Sequence, residues 1–310
     1  VVVVADTIAT SIGGDYTIAM SATTTASAVG VVIDVVVVVG VVGVVVAVVV
    51  AVVVAVDLDI VVGLAVEVVV GDFTDPESVA RAVKGVTRAL IVMGNHPDQA
   101  MLEQRFATVA ADAGVAHLVK VSSMEAAPDA TAALPKNHFE TEQHIAALDL
   151  GWTFLRPNYY MQNMLMYAAS VSRASSFALP LGRANTAMID ARDVGRVAAR
   201  VLSEEGHEQQ IYRLTGPELL NFHDVAGQMS SILQRSIEYI EQTPEAFREV
   251  LGQFIQSPWQ LDAVCELFGE IAAGSLDEQT TTVADLLGTP ATPFAAFVAE
   301  FAGAFSAAAP

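Results

Sequence analysis

Basic residues are scarce in this sequence, and none occurs before Arg81. The whole chain has 15 lysines and arginines against 35 aspartates and glutamates, so its formal net charge is -20 at pH 7. A protein that binds the nucleic-acid backbone needs a basic surface to displace counterions, and anionic membranes also attract basic segments. We therefore expect neither nucleic acid nor a membrane as a partner.

Cysteine is nearly absent, since Cys265 is the only one in the sequence. A single thiol excludes an intrachain disulfide. It lies within an apolar helical pattern at 261–271, which is typical of a small core residue. The sparing use of cysteine favours a reducing, cytoplasmic location.

Charged and aromatic residues are missing from residues 35–56, and valine occupies 19 of the 26 positions from 31 to 56. The run is long enough to cross a bilayer, but it has no basic flank and no aromatic belt. Valine is also a poor choice for a helix, because β-branching restricts χ1 there. We hypothesise that the tract does not record the natural side chains. Intact mass and peptide mapping test this hypothesis.

Apolar strand patterns alternate with helical patterns along the first half of the chain. Such alternation predicts βαβ units and a parallel sheet. A short polar loop at 21–28 predicts a strand–loop–helix succession there, with the helix over 29–39. We predict an α/β fold, a Rossmann-like doubly wound parallel sheet, with a smaller and mainly helical lobe after residue 157. The predicted strands are 16–20, 44–50, 66–70, 88–93, 116–121 and 152–155, and the predicted helices are 77–84, 98–113 and 135–148.

The segment 151–165 takes an apolar strand directly into Arg156, Pro157 and Asn158. Proline has no backbone N–H, so the strand ends there and polar side chains reach the carboxyl edge of the sheet. Ligands of open α/β sheets bind at that edge. An ordinary strand-to-helix turn with aromatic packing would have the same pattern. We expect Arg156 to support the strand end through a carboxylate.

These segments together resemble the NmrA-like group of atypical short-chain dehydrogenase/reductases. The resemblance covers roughly residues 16–305 and is greatest to bacterial members that reduce quinones or triphenylmethane dyes with NAD(P)H. It implies an NAD(P)-binding domain at 1–157, with 185–215 returning to it, and a substrate lobe at 158–310. The segments that carry it are GDFTDPESVARAVKGV (71–86), HLVKVSS (117–123), HFETEQHI (138–145), WTFLRPNYYMQNML (152–165), IDARDVGRVAARVL (189–202), VLSEEGHEQQIYRLTG (201–216) and FAAFVAEFAGAF (294–305).

The first turn departs from the family pattern G-x-x-G-x-x-G. Glycines let backbone N–H groups approach the cofactor pyrophosphate at a helix N-terminus. The matching positions here contain only alanine, threonine and serine, so Cβ atoms would crowd the phosphates. The small residues keep the shape of a glycine loop, and we expect the loop to bind cofactor through Ala22, Thr24, Thr25, Ser27 and Ala28.

The resemblance implies further cofactor contacts at the ends of later strands. Each of these residues could instead have a purely structural role, such as a turn, a strand end or a cap. The resemblance places Asp72 and Phe73 beside the adenine, and Met93, Gly94 and Asn95 along the ribose and phosphates. It places Ser122 and Ser123 on the nicotinamide side, and Pro157, Asn158, Tyr159 and Tyr160 between nicotinamide and substrate.

The Tyr-x-x-x-Lys pair of common short-chain reductases is absent, because alanine stands four residues before each lysine. Some NmrA-like reductases use a lone lysine fourteen positions before the aromatic residue of the 152–155 strand, and His138 occupies that position here. Histidine can donate a proton near neutral pH, although a satisfied surface histidine would fit equally well. The predicted catalytic residues are His138 and Tyr160, and no metal site is expected.

The resemblance implies hydride transfer from NAD(P)H to a quinone or similar conjugated, planar small molecule. The cofactor is NADP or NAD, with NADPH slightly favoured by the family, and Asp57 could be an acid that selects NAD. We expect Tyr159, Tyr160, Met161, Met164 and Tyr167 to form an apolar wall for the acceptor, or else part of the core. A non-catalytic NAD(P)-binding redox sensor that acts through a protein partner is the alternative. A homodimer is a further expectation.

Overall fold

The computed structural model describes residues 33–41, 44–52 and 66–306, with side chains from residue 72 onward. Among these residues a seven-stranded sheet has the order β3-β2-β1-β4-β5-β6-β9. Its strands are β1 Ile33–Val41, β2 Val44–Val52, β3 Val66–Gly71, β4 Arg88–Met93, β5 His117–Val121, β6 Gly151–Pro157 and β9 Gln210–Leu214.

The α/β class is confirmed, and strands β1, β4, β5, β6 and β9 pair in parallel. The pairs β1–β2 and β2–β3 are antiparallel, so this edge of the sheet is a meander. The helix expected over 29–39 is wrong, because Ile33–Val41 forms a strand. A run of β-branched residues favours extended backbone over helix. The predicted strand 16–20, loop 21–28 and Asp57 lie outside the described residues.

Capping residues and glycines mark the ends of the first helices that pack on the sheet. Helix α1 (Pro76–Ala82) starts at Asp75, whose Oδ1 accepts a hydrogen bond from the Glu77 N–H. Gly85 and Gly114 take positive φ where α1 and α2 give way to strands. The helices around the sheet are α1, α2 Gln99–Asp112, α3 Ala133–Ala146, α5 Ala191–Ser203 and α9 Thr282–Leu287.

Each face of the sheet has its own buried core. The α2–α3 face includes Ile91, Phe106, Leu118 and Phe154. The α5 face includes Leu90, Val119, Val121, Leu155, Ile189, Val194 and Val197. Neighbouring residues of β5 and β6 alternate between the two faces, as successive side chains of a strand must.

A helical lobe follows β6 and has a separate aromatic core around Phe177, Phe222 and Phe297. Arg235 joins its two ends, because its guanidinium donates to the carbonyl oxygens of Val171 at 2.8 Å and Phe305 at 2.7 Å. The elements after β6, apart from α5, β9 and α9, are a 3-10 helix Met161–Tyr167, α4 Ala168–Ala174, β7 Ser176–Leu179, β8 Asn185–Thr186, β10 Leu220–Asn221, α6 Phe222–Leu233, β11 Glu238–Glu241, α7 Pro244–Leu251, α8 Pro258–Ala272, α10 Phe294–Glu300 and α11 Ala302–Phe305.

The lobe is tied to the sheet by specific polar contacts. The Asn158 amide donates to the Leu276 carbonyl at 3.1 Å, and Arg213 on β9 pairs with Glu278. Gly216 follows β9 and lies so close to the Met188 carbonyl that a Cβ would be 1.9 Å from its oxygen. Within the described residues no helix is long and apolar enough to span a bilayer. Cys265 on α8 is partly buried against the lobe core.

Acid is expected to destabilise the fold through His117, which lies on β5 at the amino edge. Its Nε2 is 2.8 Å from Thr153 Oγ1, and burial lowers its pKa to about 4. As the pH falls, His117 takes up a proton first in the unfolded chain. The free energy of unfolding therefore decreases from about pH 6.5 down to about pH 4, the pKa of His117 in the folded chain. A shift of this size corresponds to about 3 kcal/mol of unfolding free energy. His117→Gln should remove most of that pH dependence in denaturant titrations; an unchanged slope would contradict it.

Candidate active site

Three parallel strands, β4, β5 and β6, end side by side at the carboxyl edge of the sheet. Beyond β4, Gly94 and Asn95 are exposed. Beyond β5, Ser122 is buried and Ser123 is half-buried, and Pro157 ends β6. The structure thus brings the predicted residues of these three strand ends to one edge. Their role as cofactor contacts stays a prediction.

A charged layer lies directly beneath this edge on the α2–α3 face. Lys120 on β5 donates to Glu103 Oε2 on α2 at 2.6 Å, and neither side chain has any exposed surface. An ion pair can be buried so completely only when each charge has a close counter-charge. Sequence reasoning missed both residues. The signal was available, because a lysine inside the apolar strand HLVKV needs a buried acid.

A second ion pair stands beside the first. Arg156 on β6 donates through Nε to Glu142 Oε1 at 2.9 Å, and a second bond joins its Nη2 to Oε2. Ser122 also donates to Glu142 Oε1, at 2.6 Å. The contact between Arg156 and a carboxylate is as expected. This pair ties α3 to the ends of β5 and β6.

His138 precedes Glu142 by one turn of α3 and therefore lies nearer the carboxyl edge, where this helix begins. Its Nδ1 is buried without a hydrogen-bond partner in the described structure. Burial, followed by the charges of Lys120 and Arg156, holds the pKa of His138 well below its usual value. The imidazole is therefore neutral at physiological pH, where it can donate an N–H but cannot act as an imidazolium acid.

Tyr160 lies on the other side of the sheet from His138, because its ring packs against the α5-face core. Its hydroxyl is buried without a described partner, and burial raises the pKa of the phenol. Tyr160 consequently stays protonated and can serve as a hydrogen-bond donor. The structure does not bring the two predicted catalytic side chains onto one face.

The five residues expected to form one apolar wall are divided between two cores. Tyr159, Met161 and Met164 are buried in the lobe core, with Met164 fully inaccessible, and Tyr167 packs against that core. Tyr160 belongs to the α5 face instead. The packing supports the alternative, in which these five residues are core residues.

Several predicted cofactor contacts already have structural partners. Asp72 Oδ1 accepts from the Thr74 N–H at 2.7 Å, which lowers the pKa of Asp72, and Phe73 is buried edge-on against Phe106. Asn158 Oδ1 accepts from the next backbone N–H. Ser123 donates to Glu125 at 2.5 Å. The first-turn residues Ala22, Thr24, Thr25, Ser27 and Ala28 lie outside the described residues.

The start of α3 is held by the lobe. Ala132, the N-cap, supplies no side-chain hydrogen bond, and Glu270 of α8 accepts from the Thr131 and Ala132 N–H groups instead. Glu266, one turn earlier on α8, accepts from the Ala133 N–H. These carboxylates satisfy helix donors that would otherwise lack partners. The position of α3, and so of His138, depends on α8.

The residues at this edge fit a nicotinamide dinucleotide. Gly94 and Asn95 offer exposed backbone after β4, and the buried His138 Nδ1 and Tyr160 hydroxyl are polar atoms without described partners. A cofactor laid across the carboxyl ends of parallel strands is the usual mode of binding in doubly wound sheets. Fold and edge together define the class of Rossmann-like dinucleotide-binding proteins.

The NmrA-like family model matches residues 34–298, and this chain belongs to that family. The NAD(P)H azoreductase of Xenophilus azovorans is 34% identical over 247 residues, covering 78% of this chain and 85% of the relative. The Escherichia coli NADPH-dependent quinone oxidoreductase complexed with NADPH has a TM-score of 0.68 at 24% identity, covering 74% and 82%. The Citrobacter sp. triphenylmethane reductase complexed with NADP(H) has a TM-score of 0.66 at 24% identity, with the same coverage.

Proposed function

We propose that this NAD(P)H-dependent oxidoreductase transfers hydride to a quinone or a similar conjugated, planar acceptor. The observation that carries the acceptor class is the weakness of the proton donors near the carboxyl edge. His138 is held neutral and Tyr160 is held protonated. Conjugation delocalises the charge that hydride addition creates, so such acceptors need only a weak donor. An unconjugated ketone would need a stronger acid.

The relatives support the same class of acceptor. Their names describe reduction of azo compounds, quinones and triphenylmethane dyes, all of which are conjugated. Bound NAD(P)H supplies the hydride. The chain would hold the cofactor through the first turn and the ends of β4 and β5, while β6 and the lobe would orient the acceptor.

We also propose that the sheet domain and the lobe have different roles. Residues 1–157, with 185–215, would bind the cofactor, and 158–310 would mainly form the acceptor side. A homodimer in a cytoplasmic setting stays a prediction, which size-exclusion chromatography coupled to light scattering would test.

Acceptor selectivity tests the proposal. NADPH or NADH oxidation is followed by loss of nicotinamide absorbance with menadione, an azo dye, a triphenylmethane dye and an unconjugated ketone. We expect kcat/KM for at least one conjugated acceptor to exceed that for the ketone by about a thousandfold, which equals about 4 kcal/mol of transition-state stabilisation. Equal rates would contradict the acceptor class. Tight cofactor binding without turnover on any acceptor would favour the redox sensor.

A further inference from the structure

We propose that the segment 266–280, which we call the strap, holds the acceptor side of the carboxyl edge closed, and that Glu270 and Glu278 are the positioning residues that keep it in place. The strap consists of the end of α8 and the loop that leads to α9. It belongs to the lobe but makes polar contacts with the chain at or beyond the ends of β5, β6 and β9. The proposal rests on the proposed function for the identity of the acceptor, whereas the opening of the strap is measured without turnover.

One end of the strap holds the start of α3. A single oxygen of Glu270, Oε1, accepts hydrogen bonds from the N–H groups of Thr131 at 3.2 Å and Ala132 at 2.8 Å, and from the Thr131 hydroxyl at 2.7 Å. Glu266, one turn earlier, accepts from the Ala133 N–H at 3.2 Å. Ala132 is the N-cap of α3, and alanine has no side-chain acceptor. The first donors of this helix therefore depend on the lobe.

The other end of the strap is joined to β9. The Arg213 guanidinium donates from Nε to Glu278 Oε1 at 2.9 Å and from Nη2 to Oε2 at 2.5 Å. Such a bidentate pair fixes direction as well as distance. The Thr280 N–H donates to Thr215 Oγ1 at 2.9 Å. Arg213 also donates from Nη1 to the Met124 carbonyl at 3.4 Å, so this end of the strap is linked to the chain after β5 as well.

The middle of the strap is anchored in the interior. Asn158 Nδ2 donates to the Leu276 carbonyl at 3.1 Å, and both residues are only 2% exposed. The Tyr159 N–H donates to Asn158 Oδ1 at 2.7 Å, which fixes the orientation of the amide. Because β5, β6 and β9 are adjacent in the sheet, the three anchors carry the strap across the carboxyl ends of neighbouring strands. This is the edge where β6 and the lobe would orient the acceptor.

The two end anchors are weaker than the middle one, because water reaches them. The side chains of Arg213 and Glu278 are 35% and 42% exposed, and a groove of about 440 Å³ lies between α8 and the start of α3. Exposed ion pairs stabilise a fold only slightly, since water competes for both charges. The strap can therefore release its ends while Asn158 still holds its middle, which gives one segment a closed and an open state.

Loss of either end anchor is expected to weaken acceptor binding. Glu270→Ala removes three hydrogen bonds from the closed state, and an acceptor that binds only this state loses affinity in proportion to the closed fraction. We expect KM for the best quinone or dye to rise about tenfold, with kcat within about twofold and KM for NADPH unchanged. Glu278→Gln should raise the same KM. The control is Glu140→Ala, because Glu140 pairs with Lys136 on α3 itself. An unchanged acceptor KM in either strap variant would overturn the role of that residue.

Adding Ala132→Ser to Glu270→Ala separates the positioning of the strap from the capping of α3. The backbone of Ala132 is extended, with φ -70° and ψ 142°, as an N-cap residue requires. A serine hydroxyl there accepts a hydrogen bond from the first turn of α3 but does not tie the helix to the lobe. We expect the urea midpoint of unfolding to recover while the acceptor KM stays raised. If KM recovers together with stability, Glu270 only caps α3, and the positioning role is overturned.

Hydrogen exchange followed by mass spectrometry tests whether the strap opens as a unit. In Glu270→Ala of the full-length chain, we expect exchange to become about tenfold faster at 274–281 as well as at 131–133, because one opening exposes both ends. Glu140→Ala should leave both segments unchanged. Faster exchange confined to 131–133, or none, would overturn the strap. The measurement needs no acceptor: if the parent chain reduces no quinone or dye, the proposed function fails, and the exchange at 274–281 still decides the inference.

Discussion

A chain in which Ala22, Thr25 and Ala28 are replaced by glycine is expected to bind NADPH about a hundredfold more tightly than the chain with the present residues, which equals about 2.7 kcal/mol. These positions match the three glycines of the family's first turn. In the family's turn the glycines let backbone N–H groups approach the pyrophosphate, and a Cβ at each of these positions would keep them apart. Restoring even two such donors accounts for this gain.

Isothermal titration of the purified protein with NADPH measures the effect. Glycine at exposed Glu205 and Gln209 is the control for added backbone freedom, because these residues lie in the loop before β9 at the opposite edge of the sheet. We expect the control to leave affinity unchanged. Equal affinity in the triple variant and in the parent chain would show that 22–28 is not the phosphate loop.

The second large effect is expected on stability. Lys120→Met leaves Glu103 fully buried without a counter-charge, whereas in the parent chain the two are 2.6 Å apart. Removing one partner of a buried pair costs about 3–5 kcal/mol of unfolding free energy, because the remaining charge loses its compensation. Urea titration of the folded chain measures this loss.

The double variant K120M/E103L is the matched control for that loss. Replacing both charges by apolar side chains of similar size is often neutral or stabilising, so most of the lost free energy should return. If Lys120→Met changes the unfolding free energy by less than about 0.5 kcal/mol, the typical range for surface substitutions, then the buried pair is not as described.

Helices and strands whose ends are marked by proline, glycine or a capping residue could be predicted from the sequence. Strand 88–93 has the predicted bounds, and α2 differs from the predicted 98–113 by one residue at each end. In each case proline, glycine or a capping residue marks an end next to a strongly apolar pattern. The 29–39 segment was mispredicted because uniform valine has no helical or strand period, and residue type then decides in favour of a strand.

The charged layer and the separation of His138 from Tyr160 could not be predicted. Glu103 and Lys120 are 17 positions apart, and only the packing of α2 on β5 brings them together. Tyr160 follows the end of β6, and its face depends on the path of the chain after Pro157, which includes a bridge to Ile189. Local periodicity carries no information about such contacts.

The most direct test of the account is steady-state oxidation of NADPH and NADH by the purified full-length chain with menadione as acceptor. The account predicts loss of nicotinamide absorbance that saturates with both substrates and requires the protein. A chain that binds the nucleotide but turns over neither menadione nor a dye, or that binds no nucleotide, would contradict it.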